Sequence, residues 1–256
     1  MLKEERQNII LENINRLGII RISDLTEKLQ ATEMTLRRDL KYLEEQGLLI
    51  RIHGGAKSKE SNIYFEELSP TEKRSINMDK KIEAAKIAAS LIKENEIIYI
   101  GPGTTNELIY DYINVFHAKV VTNCLNIFER FRNDSRFELI LIGGRLREKT
   151  GTFVGNFANE ALSKIRVKSA FIGANGIFGD NVMTYNEEEG SCQKIIMNNA
   201  CKRYVVCDSS KLEREDFYTL YKLQDATALV TDSGIEETLK NKYLKYCKII
   251  DKIKED

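Results

Sequence analysis

The sequence predicts a chain in two parts: a small helical unit closed by a β-hairpin, then a larger α/β unit on a largely parallel sheet. Three observations predict it. Residues 32–56 (TEMTLRRDLKYLEEQGLLIRIHGGA) change from helical to alternating periodicity at Gly47. Residues 58–77 lose their apolar period and become rich in charge. From residue 97 onward, seven short β-branched runs alternate with helical stretches.

The first unit is read in order. Ile10, Ile14 and Leu17 fall at helical spacing, with Gly18 as a stop. Residues 19–22 are short and β-branched, enough for one strand pairing back with the wing. Ser23 is expected to cap a helix that turns Leu25 and Leu29 inward. Thr32 caps the next helix, where Leu36, Leu40 and Leu43 form one apolar seam. Met34, Arg38 and Lys41 fall on the opposite face, flanked by Thr35 and Arg37. Gly47 supplies a left-handed stop, and Ile50 and Ile52 then alternate with Arg51 and His53. Gly54-Gly55 allows the tight turn of a wing tip.

Helix, strand, helix, turn, helix and wing is the order of a winged helix-turn-helix, whose second helix fits a DNA major groove. Met34, Thr35, Arg37 and Arg38 are the expected groove residues, with the cap Thr32 also expected at DNA and Lys41, Arg51, His53 and Lys57 along phosphates. A basic cluster by itself would equally suit a solvated face on a pair of protein helices. The caps, the double Arg and the Arg-x-His-Gly-Gly wing occurring together favour double-stranded DNA.

Composition gives no global signal for nucleic acid, since 39 Lys and Arg balance 39 Asp and Glu across 256 residues. A chain 42% hydrophobic can bury a substantial core. Five cysteines without C-x-x-C spacing read as reduced, buried thiols. Lys3-Glu4-Glu5-Arg6 leads straight into an amphipathic pattern, so no signal peptide is expected. No membrane-spanning apolar run is present, and the chain is expected in the cytoplasm.

The expected domains are residues 1–57 for DNA, a linker over 58–77 with some helix near 64–68, and a sensor over 78–256. A helix carries Ile82, Ala85, Ala89 and Ile92 along one side. The runs at 97–100, 120–122, 139–142, 170–172, 204–207, 228–231 and 247–250 suggest a parallel sheet covered on both faces. Ligands of such sheets sit beyond the carboxyl ends of the strands. Those ends carry Gly101, Gly103, Thr104, Thr105 and Asn106, then Thr122 and Asn123, then Gly143, Gly144 and Arg145. Asn175, Asp208 and Lys211 complete the set. Glycine, hydroxyl, amide and cation dominate and acids are few, which suits a phosphorylated, hydroxyl-rich small molecule. The Gly101 loop lacks the Gly-Lys-Thr ending of a P-loop and the third glycine of a dinucleotide fingerprint. No cluster has metal-ligand spacing, and no cofactor is expected.

The segment MTLRRDLKYLEEQGLLIRIHGGA resembles the N-terminal signature of the DeoR family of bacterial transcriptional repressors. TN at 122–123, LIGG at 141–144, FVG at 153–155 and DSSK at 208–211 resemble that family's C-terminal sensor domain. The resemblance implies a DNA-contacting helix over residues 34–45. It also implies a sensor fold similar to ribose-5-phosphate isomerase and a phosphorylated sugar effector that usually weakens the grip on the operator. Many members begin the phosphate loop with Asp, whereas this chain has Gly101-Pro102. That variant, with FVG and Met183-Thr184, is similar to the branch serving Gram-positive lactose phosphotransferase systems. Members of that branch answer to tagatose 6-phosphate.

Two rival classes are weighed. A sugar-phosphate isomerase fused to a DNA domain would need a positioned carboxylate. The loop at residues 173–176 offers none, and Glu187, Glu188 and Glu189 read as a solvated helix start. His53 and His117 have no partnered nucleophile. A module that only oligomerises would lack ligand-induced stabilisation. The expectation is a sensor, not an enzyme, acting as a homodimer or homotetramer on symmetric operators.

Overall fold

The computed structural model describes residues 3–17, 19–52, 55–58 and 67–253. The chain divides into two compact units, residues 1–66 and 67–256.

In the first unit α1 (Lys3–Leu17), β1 (Ile19–Arg21), α2 (Ile22–Leu29), α3 (Glu33–Glu45), β2 (Leu49–Ile52) and β3 (Gly55–Ser58) follow one another. The strands form one antiparallel sheet in the order β1-β3-β2, with Lys57 opposite both Ile19 and Ile50. The expected return of the first strand onto the wing is therefore present. Ile10, Ile14, Leu25, Leu36, Leu40, Leu43 and Leu49 make the core. Thr32 caps α3, its hydroxyl accepting from the Thr35 amide at 3.3 Å, and Gly47 takes the left-handed conformation (φ 72°) that ends the helix. The cap position expected at Ser23 falls elsewhere. The helix starts at Ile22, directly after the strand pairing of Arg21 with Gly55, so Ser23 lies within its first turn. Gly18, His53 and Gly54 lie outside the described residues.

The second unit begins earlier than the expected boundary at residue 78. Residues 67–77, read as linker, belong to it and contain α4 (Pro70–Arg74). Ser69 and Glu72 close a capping box, the Ser69 amide donating to Glu72 at 2.8 Å and Pro70 entering the first turn. Of the helix expected near 64–68, residues 64–66 lie outside the described set and Leu68 is not helical.

There follow α5 (Met78–Ser90), β4 (Ile97–Ile100), α6 (Thr104–Glu107), α7 (Ile109–Tyr112), β5 (Ala118–Thr122), α8 (Leu125–Phe131) and β6 (Phe137–Leu141). Next come β7 (Arg145–Arg147), β8 (Thr152–Val154), α9 (Asn156–Ser163), β9 (Val167–Gly173), β10 (Gly176–Phe178) and β11 (Asn181–Thr184). The unit closes with α10 (Glu187–Asn198), β12 (Ala200–Val206), β13 (Tyr218–Lys222), β14 (Ala228–Val230), α11 (Glu237–Leu244) and β15 (Lys248–Ile250).

All seven β-branched runs pair into one parallel sheet, in the order β15-β14-β12-β9-β4-β5-β6. Side chains alternate between two cores. Ile98 and Ile100 face one with Val120, Tyr204 and Val206, while Tyr99, Val121, Ile172 and Val205 face the other. A β7–β8 hairpin and a three-stranded β10-β11-β13 sheet add to this frame. Neither was expected, because three-residue strands have no legible period and β13 reaches β11 from far along the chain.

Candidate functional site

A pocket opens at the carboxyl ends of β4, β9 and β12, the middle of the sheet. Gly103, Thr104 and Thr105 line it after β4, Gly173 to Asn175 after β9, and Val206 and Lys211 at the end of β12. Helices contribute Lys81 from α5 and Glu189 with Gln193 from α10, and the segment before the sheet contributes Glu67, Pro70 and Lys73. The loops after β4 and β9 pack closely: a Cβ on Gly173 would stand 3.1 Å from the Pro102 carbonyl.

Five of the thirteen expected effector residues meet here: Gly103, Thr104, Thr105, Asn175 and Lys211. The others stand outside the lining. Asn106 is fully buried and donates to the Gly101 and Phe171 carbonyls, holding the loop in shape. Thr122 accepts from the Cys124 amide, and Asn123 accepts from Tyr99 and donates to the Phe153 carbonyl. Gly144 lets β8 and α9 approach, since its Cβ would lie 2.8 Å from the Val154 carbonyl. Gly143 is exposed, and Arg145 pairs with Glu188. Asp208 accepts from Asn77 and Ser210.

The charge balance of the pocket differs from the expectation of few acids. Glu67, Glu107 and Glu189 all line it. Glu189, expected in a solvated helix start, is 6% exposed, and burial pushes its carboxyl up. Each acid has a cation: Glu107 takes a two-pronged bond from Arg74 at 2.8 and 3.1 Å, and Arg147 bridges Glu67 at 2.8 Å and Glu189 at 3.1 Å. The lysines are not matched in this way. Lys73 donates to Asn175 at 3.0 Å and Lys81 to the Lys73 carbonyl, yet among the described residues neither they nor Lys211 enter an ion pair. Burial holds all three ammoniums below their ordinary range, Lys73 at about 8. Repulsion from Lys211 adds to burial at Lys73, against the pull of Glu67, Asp216 and Glu189. At Lys211 the pull of Asp208 opposes burial, and repulsion from Arg214 and Lys81 adds to burial. Unpaired positive charge at the end of a parallel sheet is a place for an anion.

In the first unit Leu36, Leu40 and Leu43 are buried, and Met34, Arg37, Arg38 and Lys41 face outward. Met34, Arg37, Arg38, Lys41 and Arg51 share one concavity between α3 and the wing. Thr32 and Thr35 lie at the helix start beside it, and His53 is outside the described residues. Arg37 pairs with Glu33 at 3.3 Å, Lys41 with Glu45 at 3.8 Å and Arg51 with Glu44 at 3.6 Å. Arg38 enters no ion pair among the described residues, so its guanidinium is the least encumbered of the face.

Comparison with known proteins matches residues 6–62 to the DeoR-like helix-turn-helix domain and residues 76–233 to the DeoR C terminal sensor domain. The chain belongs to the DeoR family. Among relatives of this DeoR-family protein, the lactose phosphotransferase system repressor of Streptococcus mutans serotype c is 40% identical over 98% of this chain and 100% of its own. The repressor of the same name from Staphylococcus aureus strain NCTC 8325 is 36% identical over the same shares. Solved structures with a similar fold include ribose 5-phosphate isomerase A of Methanocaldococcus jannaschii, 22% identical with a TM-score of 0.38 over 53% of this chain and 55% of that one. The eIF2B beta subunit of Chaetomium thermophilum is 11% identical, with a TM-score of 0.45 over 66% of this chain and 54% of that one.

Four pocket residues of this DeoR-family protein were missed by reasoning from sequence although their spacing carried a signal. Lys81 shares a face with Ala84, Ala85 and Ala88, the buried side of α5. Glu189 and Gln193 share one with Cys192, Ile196 and Met197. Lys73 follows the S-P-T-E capping pattern at residues 69–72, which marks a helix rather than a linker. No group of His, Cys, Asp and Glu among the described residues could hold a metal ion, and no described helix is long and apolar enough to cross a membrane. The five cysteines are free, and Cys124, Cys192 and Cys207 are buried, but Cys247 is half-buried and Cys201 is exposed, facing outward near the start of β12.

Proposed function

We propose that this DeoR-family protein is a transcriptional repressor of a sugar-utilisation operon whose hold on its operator is set by a phosphorylated sugar bound in the second unit. The observation that carries the effector reading is the trio around one pocket, Lys81 buried and Lys73 and Lys211 half-buried, none of which forms an ion pair among the described residues. Such a trio repels itself until an anion arrives, and a phosphate dianion is the ligand that answers two or three ammoniums at once. Gly103, Thr104 and Thr105 add small and hydroxyl groups on the same wall. Tagatose 6-phosphate is the first candidate, from the resemblance to the lactose phosphotransferase branch.

The DNA reading assigns Thr32, Met34, Thr35, Arg37 and Arg38 to the major groove and Lys41, Arg51 and His53 to phosphates. One winged helix makes few base contacts, so two or four copies would act together on a symmetric site. Glu67, Pro70 and Lys73 line the pocket, and their segment follows directly in sequence on the first unit, so a ligand that rearranges it changes operator affinity by favouring one state.

Glu189 favours a second reading. A buried carboxylate with a raised pKa beside lysines is what an aldose–ketose isomerase needs as its base. Arg147 and Thr150 both bond its Oε1 and pair the carboxylate with a cation, which supports a sensor instead.

The test is operator binding by fluorescence anisotropy, with and without tagatose 6-phosphate and other sugar phosphates. Thr104→Ala with Lys211→Ala should bind operator normally yet ignore the effector. Normal release by that double variant would remove this pocket from the mechanism, and turnover of the sugar phosphates at enzyme-like rates would establish the isomerase reading.

A further inference from the structure

We infer that Gln193 reads a hydroxyl of the bound ligand and so decides which phosphorylated sugar the pocket accepts, an inference that rests on the anion-pocket reading above. Gln193 is 3% exposed, lines the pocket and leaves its amide oxygen Oε1 buried without a hydrogen-bond partner. Nearly every buried polar atom in a folded protein is hydrogen-bonded, so an unpartnered one at a pocket wall points to a partner that arrives with the ligand. The missing partner must donate. A phosphate dianion carries only acceptors, so the donor belongs to the rest of the molecule, and on a sugar it is a hydroxyl.

The surroundings of Gln193 hold it in place. It lies on α10 four residues after Glu189, on the same face, with Cys192 and Ile196 fully buried beside it. Glu189 is a second acceptor on that wall, and the Thr150 and Thr184 side chains line the pocket with it. The pocket therefore combines ammoniums, which suit the phosphate, with acceptors on α10, which suit a polyol. Compounds lacking the matched hydroxyl leave Gln193 unpaired. A site built to bond a hydroxyl rejects such analogues far more strongly than an apolar pocket rejects a missing methylene, here by roughly 10- to 100-fold.

The test compares the full-length protein with Gln193→Met and Gln193→Leu, which keep apolar bulk and remove the acceptor. The probes are inorganic phosphate, the 6-phosphates of tagatose, fructose and sorbose, and monodeoxy counterparts of the ketose phosphate that binds best. Without ligand, both variants should melt at or above the wild-type temperature, because an unsatisfied buried amide oxygen has been replaced by apolar atoms. They should bind inorganic phosphate as the wild type does, bind the best ketose phosphate at least about tenfold more weakly, and lose the preference for it over one deoxy counterpart.

Variants that keep that affinity and preference overturn the role of Gln193 while leaving the anion pocket intact. A fall of several degrees in the ligand-free melting temperature of both variants overturns it as well, since the oxygen would then have a partner within the fold. If the wild type binds neither inorganic phosphate nor any ketose phosphate, the anion pocket itself falls and this inference with it.

Discussion

Lys73 Nζ donates to Asn175 Oδ1 at 3.0 Å, joining the segment that precedes the sheet to the loop after its central strand β9. Two residues 102 positions apart thus form one corner of the pocket. The contact holds a half-buried cation at the pocket wall, where it forms no ion pair among the described residues.

A pH dependence follows. Burial, then the charge of Lys211, hold Lys73 at about 8, against 10.5 for a free lysine. Between those values the unfolded chain carries the proton and the folded chain does not, so stability from this group rises with pH across that window. Below it the ammonium is charged in both states and its burial costs stability. Lys73→Met is expected to melt higher than the wild type at pH 7, with the gap closing by about pH 10. The shift induced by inorganic phosphate should shrink from pH 7 to 9 in the wild type, and be small throughout in the variant.

Arg147 joins Glu67 to Glu189, two carboxylates that are almost fully buried. Arg147→Met leaves Glu189 without its cation and Glu67 with only Lys149 at 3.7 Å, and should destabilise the second unit by about 3–5 kcal/mol in urea unfolding. Adding Glu189→Gln removes one stranded charge and should recover part of that loss. A double variant no better than the single one would show that Glu189 is protonated in the folded protein.

On the recognition face, Arg38→Ala should relax the choice of operator sequence, costing about 1–3 kcal/mol on the specific site and little on random DNA. Lys41→Ala should weaken both alike and flatten the salt dependence. Arg37 shares its guanidinium with Glu33, so Arg37→Ala should cost less than Arg38→Ala. The reverse order in anisotropy titrations would mean that the helix enters the groove on another face.

Asp39 is 2% exposed and accepts from Arg6 at 2.5 Å and Gln7 at 3.0 Å, tying α3 to α1. Asp39→Ala strands Arg6 and is expected to lower the stability of the first unit by about 3 kcal/mol. Loss of operator binding together with loss of helical signal at the growth temperature would register it.

Gly176 stands against the chain after the short 3-10 turn at residues 209–211, where a Cβ would run into the Arg214 carbonyl. Backbone cannot move aside as a side-chain tip can. Gly176→Ala should therefore cost about 2 kcal/mol or more and displace Asn175, weakening ligand binding as well.

Much of the frame is legible in the order of residues alone. The inner strands of the sheet carry continuous apolar runs toward their carboxyl ends, because there they are buried on both faces by their own position rather than by a partner's identity. The α3 seam is legible for a similar reason: helical period alone turns Leu36, Leu40 and Leu43 to one side. Asp39 is not, since a buried acid is recognised only when Arg6 and Gln7 are seen beside it. Glu189 in a run of three glutamates and Lys73 in a charged stretch look solvated for the same reason.

By itself, the sequence determined the order of elements, the parallel sheet, the outward basic face of α3 and part of the pocket lining at the strand ends. These follow from periodicity and from local backbone chemistry, which act over a few residues. Only the tertiary structure decided which side chains reach the pocket and which charges are left unpaired there. Lys73, Lys81, Glu67, Glu189 and Gln193 come from three separate stretches of chain, and their pKa values and missing partners are set by neighbours far away in sequence. Burial and Coulomb interaction depend on distance through space, and no local pattern encodes that distance.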